Sequence, residues 1–151
     1  MIKKSTLFDE LSKYKQHGHF FLNLQDTLRE VCNAPTDKSG VYIVYSLKNG
    51  KVELIYIGCS GKHLADGSMF IRKAKLGGIK DRIVNGHQFG KIPRRKSWIA
   101  QIEKEKIEAL DIYWYATHNE DYSDCPRTLE NTLLKKYLDI FGRLPKWNKE
   151  I

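Results

Sequence analysis

One stretch constrains the fold of this chain more than any other: "SGVYIVYSLKNGKVELIYIGCSGK", from Ser39 to Lys62. Its halves "GVYIVYS" and "VELIYIG" are rich in β-branched and aromatic residues, which suit a pleated sheet surface, and they flank the turn signal "KNG". The stretch therefore predicts a β-hairpin, whose loop decides how the side chains meet. A two-residue Asn49-Gly50 turn pairs Tyr42 with Ile57. A three-residue Lys48-Asn49-Gly50 loop with Gly50 left-handed instead pairs Tyr42 with Tyr56 and sets both phenols on one face.

Downstream, "GGIKDRIVNG" predicts a short helix, because Ile79 and Ile83 stack at four-residue spacing and Gly86 can close the end; Arg82 projects beside that stripe. A second helix through "SWIAQIEKEKIEA" follows Pro93, and "LDIYWYAT" returns to strand alternation with Ile112, Trp114 and Ala116 on one side. The last helix, in "SDCPRTLENTLLKKYLDIFG", has Pro126 near its start and Gly142 at its end. Leu129, Leu133, Tyr137 and Leu138 form its buried stripe, extended by Phe141, and Glu130 borders it. The order from Ser39 onward is β-β-α-α-β-α. Residues 1–38 read as an N-terminal helical extension packed on the same domain. There, Leu7, Leu11 and Tyr14 form one helical face, and Leu24, Leu28, Val31 and Cys32 another, with Asn23 as N-cap.

A chain of 151 residues that is 41% hydrophobic fits one compact domain. Its 26 Lys and Arg against 18 Asp and Glu leave a net charge of +8, which favours a polyanionic partner such as nucleic acid. Cys32, Cys59 and Cys125 are odd in number and far apart, so neither a disulfide framework nor a zinc site is indicated, and a reducing cytoplasm fits. His17, His19, His63 and His118 show no metal-ligand spacing. No apolar run reaches signal-peptide or membrane-spanning length, and no membrane partner is expected.

The tripeptides "GVY" at Gly40 to Tyr42 and "YIG" at Tyr56 to Gly58 resemble the paired signature of the GIY-YIG nuclease family. In family order there follow Arg82 on a helix, His87 soon after it, Glu130 on the last helix and Asn148 in "LPKWN". The resemblance covers residues 39–151, and the ordered set is more specific than either tripeptide. It implies an α+β fold, with a small three-stranded antiparallel sheet flanked by helices, and metal-dependent endonucleolytic cleavage of DNA.

Phosphodiester hydrolysis needs an activated water, charge stabilisation at phosphorus and help for the leaving oxygen. The resemblance makes Tyr42 the general base and gives Tyr56 the positioning of the water or the scissile phosphate. A phenol with a pKa of about 10 is a poor base unless positive charge from Arg82, Lys62 or a metal favours the phenolate. Arg82 offers a planar fork for two phosphate oxygens. Glu130 is the carboxylate expected to hold Mg2+ (or Mn2+), an ion that keeps waters and takes phosphate oxygens beside a single protein ligand. His87 would orient Tyr42 or assist proton transfer, although it follows Arg82 by five residues where the family usually has four. Asn148 would tie the C-terminal tail to the site.

The segment "CSGKHLADGSMFIRKAKLGG" is longer than the usual family connection and reads as a DNA-contacting insertion. Its Lys62, Arg72, Lys73 and Lys75, with Lys91, Arg94, Arg95 and Lys96 in "GKIPRRKSW", supply phosphate-binding charge. There is no Glu-x-Lys triplet for a PD-(D/E)xK site and no cysteine pair of the sort some HNH enzymes carry. The competing reading is a DNA-binding module that keeps the fold without catalysis. Restriction, repair, recombination and the mobility of a genetic element are all open roles. A restriction enzyme cutting a palindrome is most simply a homodimer, which makes a second copy of the chain a candidate partner.

Overall fold

The computed structural model describes residues 8–63, 69–70, 78–119 and 121–149. Strands β1 (His17–Leu22), β2 (Gly40–Lys48), β3 (Lys51–Ser60) and β6 (Ala109–Ala116) form an antiparallel sheet in the order β1-β6-β2-β3. Two short strands, β4 (Lys62–His63) and β5 (Met69–Phe70), pair separately. The helices are α1 (Leu28–Val31), α2 (Gly78–Asn85), α3 (Arg94–Glu105) and α4 (Pro126–Phe141), and a 3-10 helix spans Asp9–Lys13.

The fold is α+β, but its main sheet has four strands rather than the three expected. The fourth comes from the segment read as helical. In "HGHFFL" Phe20 and Leu22 are buried while His19 and Phe21 face outward, a period of two that overrides the wider helical spacing of the surrounding leucines. β1 pairs Phe20 with Ile112 and Leu22 with Leu110. The helix expected from Leu24 onward shrinks to the single turn of α1, preceded by Thr27, and Asn23 is not its cap: the Asn23 backbone N–H donates to Asp26 Oδ2. Leu7 lies outside the described residues, whereas Leu11 and Tyr14 are buried.

Alternation along the strands builds two cores. On one face Tyr42, Val44, Ile112 and Trp114 pack with Leu22, Leu28, Ile79, Ile83, Trp98 and Ile102, so α1, α2 and α3 cover this side. On the other, Val41, Ile43 and Ile57 meet Leu133, Leu134 and Tyr137 of α4, with Phe8, Leu11 and Tyr14. Pro126 opens α4 and Gly142, at φ 73°, closes it. Leu22 has no exposed surface, so Leu22→Ala is expected to destabilise the domain by about 2–5 kcal/mol in urea unfolding. A change below about 1 kcal/mol would make β1 an appendage instead of a core strand.

The hairpin uses the two-residue turn: Lys48 pairs with Lys51, and Asn49 and Gly50 take φ of 54° and 74°, as a type I′ turn requires. Yet neither expected partner faces Tyr42. Between Val44 and Tyr45 the register shifts, from Tyr45 opposite Leu54 to Val44 opposite Tyr56, leaving Ile55 as the extra residue of a β-bulge. Beyond the bulge Tyr42 pairs with Gly58. Tyr42 and Tyr56 therefore share a face as diagonal neighbours, their ring centroids 6.0 Å apart.

Candidate active site

Gly58 is where the two signatures meet. A Cβ at this position would lie 2.5 Å from Tyr42 Cζ and 2.6 Å from its hydroxyl oxygen, because the Tyr42 ring lies across the bare backbone of the opposite strand. The ring is wholly buried. Gly58→Ala is expected to push Tyr42 aside, costing about 1–3 kcal/mol in denaturant unfolding. An unchanged midpoint would show that the sheet absorbs the methyl without moving the phenol.

Arg94, the first residue of α3, fills the space beneath the phenols. It was expected in the phosphate-binding charge run, but its side chain is entirely buried and turned inward. Its Nε donates to Gln88 Oε1 at 2.9 Å, Nη1 to the Arg82 carbonyl at 2.6 Å and Nη2 to the Tyr56 hydroxyl oxygen at 3.1 Å. The guanidinium also lies 5.5–5.6 Å from the ring centroids of Tyr42, Tyr56 and Trp98. Gly86 makes the room, since a Cβ there would sit 2.1 Å from Arg94 Nη1. The sequence carried a signal for this: Arg94, Trp98 and Ile102 follow one another at four-residue spacing, the buried stripe of α3.

Arg82 is half-buried on α2, and its guanidinium lies against the Tyr42 phenol without an aligned hydrogen bond. The Tyr42 hydroxyl and Arg82 Nε are both buried, and neither has a partner among the described residues. Burial pushes the Tyr42 phenol well above its ordinary pKa, against the lowering pull of Arg94 and, more weakly, Arg82. The expected positive charge is present, but desolvation outweighs it.

Glu130, on the first turns of α4, is half-buried beside Cys59, on the helix that covers the other face of the sheet, within reach of the Arg127, Arg82 and Arg94 charges. Burial raises its pKa, while the Cys59 thiol and the charges of Arg127, Arg82 and Arg94 act to lower it. Burial, with the nearby Glu130 charge, pushes Cys59 up to about 12, so this thiol stays protonated at neutral pH. Among the described residues no group of three or more His, Cys, Asp or Glu converges as a metal cage. The site offers a single carboxylate, Glu130, a donor set that would suit only an ion that keeps most of its own waters.

Asn148 clips the C-terminal tail to the edge strand. Its amide accepts from the Ile57 N–H and donates to the Ile57 carbonyl, both at 3.0 Å, between Tyr56 and Gly58. The Trp147 N–H adds a bond to the Ile55 carbonyl at 2.7 Å, so the tail pairs with the bulged part of β3.

The remaining expected residues scatter. His87 is exposed in the turn after α2, forms a backbone bridge with Pro93 and is not brought to Tyr42; the neighbouring Gln88 reaches the cluster instead. Lys91 and Lys96 are exposed, and Arg95 is half-buried and donates to the Asn85 side chain. The side chain of Lys62, and all of Arg72, Lys73 and Lys75, lie outside the described residues.

No family model, curated protein or solved structure matches this chain. Among the described residues no helix is long and apolar enough to cross a membrane.

Proposed function

We propose that the chain is a magnesium-dependent DNA endonuclease of GIY-YIG type. The observation that carries this reading is the buried Tyr42 hydroxyl set against the Arg82 guanidinium, with no aligned hydrogen bond at that hydroxyl or at Arg82 Nε among the described residues, while the Arg82 and Arg94 charges reach both Tyr42 and Glu130. Buried polar groups without partners are rare in native proteins, and these two would complete their hydrogen bonds with an ordered water and a phosphate oxygen. The +8 net charge suits a polyanion.

In this reading Arg82 binds a non-bridging oxygen of the scissile phosphate and stabilises the negative charge that grows there. Tyr42 receives the proton of the attacking water. Its ionised form is favoured by Arg94 and Arg82, and a water at the hydroxyl offsets part of the desolvation that now holds the phenol protonated. Glu130 would hold Mg2+ or Mn2+, which supplies charge neutralisation at the leaving oxygen. Asn148 fixes the strand between Tyr56 and Gly58. Lys91 and Lys96 remain as exposed cations for non-specific phosphate contact.

The test is incubation of supercoiled plasmid with purified protein in magnesium and in EDTA. Discrete linear bands that need magnesium indicate a sequence-specific endonuclease, and nicked or smeared product a structure-selective or nonspecific one. A salt-sensitive gel shift without cleavage replaces this reading with the DNA-binding module.

A further inference from the structure

Arg94 places a positive charge at the centre of the tyrosine cluster, with no surface exposed and no carboxylate within ion-pair distance among the described residues. Taking a guanidinium out of water is costly unless acceptors meet its N–H groups. Three do so: Gln88 Oε1, the Arg82 carbonyl and the Tyr56 hydroxyl oxygen. Arginine has only donors, so at the last of these Tyr56 must be the acceptor. The hydrogen of the Tyr56 O–H then points away from Arg94.

We propose that Arg94 is a positioning residue: by holding the Tyr56 oxygen as an acceptor, it turns the Tyr56 O–H outward as a donor to a non-bridging oxygen of the scissile phosphate. This rests on the nuclease reading above. The orientation is held from several sides. The bare backbone of Gly86 accommodates Nη1 where a Cβ would lie 2.1 Å from it, and the Arg94 backbone N–H is bonded to the Gly86 carbonyl at 2.9 Å. The rings of Tyr42, Tyr56 and Trp98 surround the guanidinium. A residue that merely filled this space would be replaceable by an apolar side chain of similar length. A residue that directs a hydroxyl would not.

The test is a double-mutant cycle of Tyr56→Phe, Arg94→Met and the pair, reading kcat and KM for plasmid cleavage in magnesium and the melting temperature of each protein. Tyr56→Phe keeps the ring and removes only the donor. Each single substitution is expected to lower kcat by about 10²-fold, the low end for losing one donor to a developing anion, with KM within about threefold. The double variant is expected to be no slower than the slower single variant, because both changes remove the same donated bond. Arg94→Lys, which can still donate to Tyr56, is expected to recover part of the loss. A folded Arg94→Met protein with wild-type kcat, losses that multiply in the double variant, or a change confined to KM would overturn the proposal. If Arg94→Met does not fold, Tyr56→Phe decides alone, and an unchanged kcat overturns it. A wild-type protein that cleaves nothing in magnesium instead removes the nuclease reading beneath it.

Discussion

Glu130→Ala is expected to lower magnesium-dependent plasmid cleavage by about 10³-fold while leaving the melting temperature unchanged or slightly higher. The first half follows from Glu130 being the carboxylate on which the charges of Arg127, Arg82 and Arg94 act. The second half follows from linkage. Burial raises the Glu130 pKa above its ordinary value, so the folded protein holds this proton more tightly than the unfolded chain does. Its stabilising contribution is present below the ordinary carboxylate pKa and is lost as pH rises through the raised value. Burial penalises the ionised form, so alanine at this position is not expected to lower the melting temperature. Thermal melts at acid and neutral pH, run beside the cleavage assay, check both halves. Cleavage within about threefold of wild type would remove Glu130 from the site.

Tyr42→Phe is expected to separate activity from stability more sharply still. Its hydroxyl is buried without a hydrogen-bond partner among the described residues, a state that costs free energy, so deleting the oxygen while keeping the ring is expected to stabilise the domain by about 1 kcal/mol. The same deletion removes the proposed acceptor of the water's proton, and cleavage is expected to fall by about 10²- to 10⁴-fold. A purely structural sheet aromatic predicts the stability gain alone, which makes the pairing of the two effects the informative result.

Much of the fold was legible because hydrophobic period and turn chemistry agree along "GVYIVYSLKNGKVELIYIG" and in the last helix, whose Pro126 and Gly142 ends are as expected. What escaped were features set by tertiary pairing. β1 contains no β-branched residue and finds its partner some ninety residues away, as in His19 opposite Tyr113, so local spacing favoured a helix. The bulge at Ile55 leaves no mark in composition, yet it gives Tyr42 the one partner, Gly58, that lets its ring lie flat on the opposite strand. Arg94 was misread for a related reason. In a run of basic residues each one looks solvated, and only its four-residue spacing to Trp98 and the bare backbone of Gly86 mark it as internal. His87 shows the converse, where motif order suggested a site residue and the turn after α2 leaves it outside.

In the proposed mechanism the buried phenol at Tyr42 performs chemistry. The most direct measurement is the single-turnover cleavage rate of supercoiled plasmid in magnesium for wild-type and Tyr42→Phe proteins, with the melting temperatures of the same samples. Magnesium-dependent cleavage by the wild type, reduced at least about a hundredfold in a Tyr42→Phe protein of equal or higher melting temperature, is the result expected. Equal cleavage rates for the two folded proteins would contradict the claim and leave Tyr42 as core packing.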